Sequence, residues 1–260
     1  MPLDYATYLR LPDLLDLQHE QSSPPEHDEL LFIIIHQTYE LWFKLLLHEL
    51  EKAGRDLKLN DLYGAIATFK RCRTIMKTLV GQLDILETMT PMSFASFRDR
   101  LETSSGFQST QFREFEFLLG YKRPQVMKYT TDGTPAYEAM KQRLDEPSMI
   151  DFLYDFLHAN GVEVSQEDRD RAHDPEQTTS PAVEDGIFRL YTTRPDIAIL
   201  FELMTDFDEG LQEWRYRHVK IVERTIGAKQ GTGGSPGVEF LKKSLFTPVF
   251  ESLWSIRHRL

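Results

Sequence analysis

Apolar residues along the chain recur at helical spacing rather than in strand-like alternation. From Asp28 to about Ala53 the pattern predicts a long helix that is apolar on nearly every side, with Leu30, Leu31, Phe32, Ile33, Ile34, Ile35, Leu41, Trp42 and Phe43 in its first half. Such a helix belongs in the middle of a bundle. Asp28 and Glu29 suit its start, where free backbone N–H groups favour negative charge. A second helix is predicted from about Asn60 to Thr88. Its Leu62, Ile66, Phe69, Met76, Leu79, Leu83 and Leu86 form a bundle-type seam, and Thr90-Pro91 ends it. Shorter helical stretches follow near 91–101, 107–121, 134–144 and 147–159. Residues 160–182 are polar and acidic, carry Pro175 and Pro181, and read as a loop or mobile insertion. A third long helix is predicted from about Asp196 to Ile226, stopping at Gly227. GTGGSPG at 231–237 reads as a flexible loop, and a last helical stretch reaches the C-terminus.

There is no convincing run of strand alternation and no internal repeat, so the predicted class is all-α, a helical bundle. Residues 1–26 read as an arm. Tyr5, Tyr8, Leu9 and Leu11 give it apolar character before Ser22-Ser23-Pro24-Pro25 breaks the chain. It docks either on its own domain or on something else. Residues 27–260 read as a single domain.

Composition narrows the function. With 260 residues, 41% hydrophobic and 27% charged, the chain has enough apolar content for a sizeable core. A net charge of −11 repels phosphate backbones and argues against nucleic-acid binding. The single cysteine, Cys72, permits no intrachain disulfide and fits a reducing cytoplasm. The N-terminal segment lacks the basic-then-apolar order of a secretory signal. The longest unbroken apolar run, Leu30 to Ile35, is six residues, which argues against a membrane span.

Several side chains could carry chemistry. Phe32 and His36 are four apart and share a helix face, with Glu40 one turn further on and able to orient the imidazole. This reads as a core histidine or as a site group. His218 lies in WRYRHVK, one turn after Trp214. An imidazole on a buried helix face is a common way to hold heme iron. Arg215, Arg217 and Lys220 beside it could meet heme propionates or form a solvated face. Arg98 in FASFRDR could grip a substrate carboxylate at two points, or pair with Asp99 or Glu102 on the surface. Phe94 lies four residues earlier. Gly231-Thr232-Gly233-Gly234 lacks the lysine of a phosphate loop and reads better as a loop that closes over a ligand. There is no C-x-x-C-H, no zinc-type histidine spacing, no nucleophile elbow and no dinucleotide fingerprint.

Taken together, HDELLFIIIHQTYELWFK at 27–44, SFASFRDRLETSSGFQSTQFR at 93–113 and WRYRHVKIVERTIGAKQGTGGSPGVEFL at 214–241 closely resemble three signature blocks of the tryptophan 2,3-dioxygenases, in the same order and at similar spacing. YATYLRL at 5–11 resembles that family's substrate-proximal arm. The likeness is thin from about 122 to 195.

The resemblance implies an all-α homotetramer, a dimer of dimers, whose long central helices enclose one non-covalent heme b per subunit. It implies His218 as the axial iron ligand and His36 as the distal histidine that meets the indole N–H. Arg98 then binds the substrate carboxylate, and Thr232 the amino-acid end. Phe32 and Phe94 become aromatic walls, and Ser105 and Gly106 a loop beside the heme edge. Tyr5, Tyr8 and Leu11 reach the pocket of a neighbouring subunit. The implied reaction adds both atoms of O2 across the indole C2–C3 bond of L-tryptophan to give N-formyl-L-kynurenine, the first step of the kynurenine pathway. A typical histidine pKa of about 6.5 is too low to remove an indole proton, so His36 is expected to orient rather than to act as a strong base. Leu83, where some bacterial relatives carry tryptophan, and Pro236, where serine is common, depart from the pattern. They keep open an alternative, a heme-dependent oxygenase of a modified indole.

Overall fold

The computed structural model describes residues 2–174, 178–229, 231–232 and 237–260. Thirteen α-helices run through the described residues: α1 Tyr5–Leu9, α2 Leu11–Leu14, α3 His27–Lys58, α4 Leu62–Leu86, α5 Pro91–Phe97, α6 Thr110–Leu119, α7 Pro135–Asp145, α8 Met149–Ala159, α9 Gln166–Ala172, α10 Pro181–Thr193, α11 Pro195–Ile226, α12 Val238–Lys242 and α13 Glu251–Ser255. There is no strand among them, as the spacing predicts.

Three long helices make the frame. α4 lies between α3 and α11 and packs extensively on both, while α6 and α8 cover the remaining side of α3. One continuous core joins them, with Leu46, Leu50, Phe69, Met76, Phe201 and Phe207 fully enclosed. The helix ends follow local chemistry. The Asp61 carboxylate accepts from Gly64 N to start α4, and Thr90 Oγ1 accepts from Ser93 N to start α5 with Pro91 at its first position. α6 stops at Gly120, whose φ of 112° suits glycine far better than a residue with a Cβ.

Differences from the sequence reading have identifiable causes. The segment 160–182 is not simply a loop. Ser165 and Asp168 form a reciprocal capping box that starts α9, and Pro181 is the first residue of α10 rather than a breaker. Pro175 lies outside the described residues. The C-terminal stretch is broken into α12, α13 and a final 310 turn, Ile256–Arg259. α3 is long and apolar enough, by length and composition alone, to cross a bilayer. In the fold its later turns are buried against α4, α6 and α8, and its earlier turns leave Leu30, Ile34 and Leu41 exposed.

The arm is anchored at its base. The Gln18 side chain donates to Gln37 Oε1 at 2.6 Å, Gln37 donates back to Leu17 O at 2.9 Å, and the Glu29 carboxylate accepts from the backbone N–H groups of Gln21 and Ser22. Its tip is different: Tyr5 and Tyr8 are more than 70% exposed.

Candidate functional site

A cavity of about 590 Å3 opens between α3, α4, α5, α6 and α11, with the 104–109 loop, Gly231-Thr232 and α12 completing its wall. That is the ordinary range for a small-molecule or cofactor pocket. Phe32, His36, Phe94, Arg98, Ser105, Gly106, His218 and Thr232 all line it, although they come from four separate regions of sequence. Tyr5, Tyr8 and Leu11 are not among its described lining residues.

α3 supplies His36 from one wall. Its Nδ1 lies 2.7 Å from Phe32 O, one turn back. A carbonyl oxygen only accepts, so Nδ1 carries the proton and Nε2 of the neutral ring is left as an acceptor. Much of the His36 ring faces the void, yet the surrounding protein removes it from bulk water. This burial lowers its pKa, against the opposing influence of the Phe32 carbonyl and Glu40. Glu40 does not hydrogen-bond the ring. Its carboxylate accepts from Gln111 Nε2 at 2.9 Å. Phe32 packs against His36 with centroids 4.1 Å apart; Phe94 extends the aromatic wall 5.7 Å from Phe32, and the fully buried Phe97 backs it at 5.6 Å.

α11 supplies His218 from another wall. Burial depresses its pKa to about 4, helped by the nearby charges of His36 and Arg113, so the ring is neutral and keeps a lone pair for a metal. Of the three cations flanking it in sequence, only Arg215 reaches the cavity. Arg217 pairs with Asp84 at 2.6 Å and Glu87 at 3.0 Å, and Lys220 pairs with Glu223 at 2.9 Å.

Arg98 caps the end of α5, half-buried and on the cavity wall rather than out on the surface. The Thr232 hydroxyl, also on the cavity wall, donates to Ser104 O, tying Gly231-Thr232 to the 104–109 loop. Gly233, Gly234 and Pro236 lie outside the described residues. Ser105 caps the 310 turn Gly106–Gln108 through a reciprocal capping box, which fixes the backbone beside the cavity. Leu83 is fully buried and also lines the void.

Among the described residues no group of three or more His, Cys, Asp or Glu is arranged to hold a bare metal ion. An iron held here through one imidazole needs its other ligands from a macrocycle. The rest of the wall fits such a group, being aromatic and aliphatic with a cationic region on one part.

Of the cationic region, the sequence reading singled out Arg215 but not Arg113, Arg123 or Glu116. Arg113 and Arg215 are about 5% exposed and Glu116 3%, and all three line the cavity with Arg123. Glu116 accepts from Arg113 and, at 2.5 Å, from Arg123, while Arg215 lies 3.9 Å away. In F-R-E-F-E-F at 112–117 the charged positions look like the solvated face of a short helix. The available signal was that Arg113 and Glu116, three apart, share a face with Phe112. Trp214, Tyr39 and Phe43 are further lining residues that pattern alone assigns to generic core.

Comparison with known proteins is consistent along the whole chain. A family model described as tryptophan 2,3-dioxygenase matches residues 2–170 and 160–260. A tryptophan 2,3-dioxygenase of Herpetosiphon aurantiacus is 49% identical, with 98% of this chain and 97% of the relative covered. One from Anaeromyxobacter dehalogenans is 46% identical over 99% and 96%, and one from Serratia proteamaculans 38% identical over 98% and 92%.

Proposed function

The chain belongs to the tryptophan 2,3-dioxygenase family, and from that premise we propose that it opens the indole ring of L-tryptophan with O2, giving N-formyl-L-kynurenine. The observation that carries the reading is the convergence on one cavity of a neutral, half-buried His218, the acceptor-oriented His36 and the cation Arg98.

His218 would hold the iron of one non-covalent heme b through its neutral imidazole. When bound, ferrous heme supplies the activation of O2. The protein's own groups bind and orient the amino acid. The Arg98 guanidinium holds the carboxylate by charge-assisted hydrogen bonds. Thr232 supports the amino-acid end once its hydroxyl turns from Ser104. His36 Nε2 accepts from the indole N–H without removing the proton, because an imidazole this hard to protonate is a weak base. Phe32 and Phe94 flank the indole and exclude water. Fixing the substrate in this way contributes on the order of 7 kcal/mol to lowering the barrier.

The subunits form a homotetramer, a dimer of dimers, in which residues 1–26 act as an arm on the single domain 27–260. The exposed Tyr5 and Tyr8, with Leu11, reach a neighbour's cavity. Their exposure beside the anchored base of the arm supports this reading. A cytoplasmic location fits the one buried cysteine.

The test is anaerobic reduction of the purified holoenzyme, addition of tryptophan and then O2, with mass spectrometry of the product. Two added oxygen atoms with ring opening are expected. Addition of one atom, or turnover only of a modified indole, overturns the substrate assignment in favour of another oxygenase of the same fold.

A further inference from the structure

Arg113, Arg123 and Arg215 crowd round one carboxylate, Glu116, in the cavity wall. Three guanidiniums against one carboxylate leave two positive charges uncompensated within the group. A further acid, Asp208, influences Arg215 but does not line the cavity among the described residues. Its Oδ2 accepts from Val249 N, Phe250 N and Trp254 Nε1 at 2.9–3.0 Å. Glu40, the other acidic side chain on the wall, is occupied by Gln111 and acts on His36. Even with Asp208 counted, the region keeps an excess of positive charge.

The hydrogen-bonding inventory is also incomplete. The Nε atoms of Arg113, Arg123 and Arg215 are buried and have no hydrogen-bond partner among the described residues. A buried donor without an acceptor is costly, and a buried cation without a counter-charge more so. Aromatic faces offset only part of this. Arg113 lies over Phe107 and Phe112 at 5.4 and 5.2 Å, and Arg215 over Tyr121 at 4.2 Å. Planar guanidiniums spread along one wall match carboxylates better than a compact ammonium does. This wall is built to receive anionic oxygens from something inside the cavity.

We infer that Arg113, Arg123 and Arg215, held in place by Glu116, form the anchor for the two propionate carboxylates of the heme. The inference rests on the heme reading above and extends it to which end of the macrocycle faces α6. Arg217 and Lys220, which are nearer His218 in sequence than Arg113 or Arg123, take no part because their charges are spent on Asp84, Glu87 and Glu223. Glu116 is a positioning residue. It keeps the guanidiniums together when the cavity is empty of anions and spaces them when it is filled.

The experiment compares two probes on the full chain, stripped of heme and reconstituted: hemin, and hemin dimethyl ester, which has the same ring and iron without the two charges. Release is followed by Soret absorbance during transfer to excess apomyoglobin. The parent protein is expected to retain hemin roughly tenfold longer than the ester, or more, the scale of a charged hydrogen bond. Arg113→Gln and Arg123→Gln are expected to narrow that difference, mostly by faster hemin release with ester release little changed. Arg123 is one-third exposed, so its glutamine variant tolerates the change, and the parent comparison needs no variant at all. Equal retention of hemin and ester by the parent overturns the anchor while leaving the heme reading intact. A full difference persisting in both variants also overturns it. Failure of the parent to bind either probe defeats the heme reading and the anchor together.

Discussion

Trp214 and His218 lie one turn apart on α11 with ring planes 7° apart and centroids 5.1 Å apart. Trp214 is itself wedged against Tyr39 and Phe43 of α3, and the Tyr39 hydroxyl donates to Leu79 O of α4. The plane of the His218 imidazole is thus set by side chains of α3 and α11, braced by a backbone carbonyl of α4. A ligand ring held in one orientation loses little entropy when a metal binds.

His218→Ala should therefore abolish heme retention and nearly all turnover, while His36→Ala should keep heme and some turnover but lose substrate orientation. Soret absorbance of the purified variants, read beside product formation, separates the two. Turnover by His218→Ala at the parent rate removes the ligand assignment.

Arg98→Ala should raise KM for tryptophan by roughly ten- to a hundredfold, the scale of a lost charged hydrogen-bond pair. For an indole without the carboxylate the change should be small. Steady-state kinetics on both substrates decides it, and equal effects on the two count against carboxylate binding.

Removing residues 2–11 should leave the thermal stability of the domain almost unchanged, because Tyr5 and Tyr8 are exposed and the arm's contacts begin at Leu17 and Gln18. Turnover should fall, since the missing tip is proposed to complete a neighbour's site. Unchanged kcat/KM in the truncated protein refutes that role.

Asp151 gives a pH prediction. Burial alone raises its pKa, but hydrogen bonds from His173 and Ser148 outweigh this and hold the carboxyl well below the usual range. The folded state thus binds the proton less readily than the unfolded chain. The stability it contributes is complete above about pH 4 and is lost as pH falls through the carboxylate range. Asp151→Asn should cost on the order of 1–2 kcal/mol at neutral pH and proportionately less in acid. Urea denaturation at pH 7 and pH 3 measures the difference, and an equal cost at both pH values rules out the linkage.

Asp208→Ala should destabilise by about 3 kcal/mol, since it leaves three N–H donors of the C-terminal segment unmet in the core. Intact α11 with early loss of the α13 region, seen by hydrogen exchange, is the expected pattern. Uniform protection throughout argues against such a local anchor.

The three long helices, their seams and the all-α class are legible in the chain because helical periodicity is local, and Leu62, Ile66 and Phe69 betray a face whatever they pack against. The membership of His36, Arg98, Thr232 and His218 in one site was legible only through resemblance to a family. α9 was missed because its capping box, Ser165 and Asp168, is disguised in a run of charges.

What no linear pattern could decide is which polar groups turn inward. Arg113, Arg215 and Arg217 look alike in sequence, yet two are buried on the cavity and one is neutralised at the surface by Asp84 and Glu87. Charge and spacing belong to the chain, whereas burial and partnership belong to the packing of distant helices. Since a buried cation's cost depends wholly on its neighbours, only the folded arrangement of α6 against α11 could mark that wall as a binding surface.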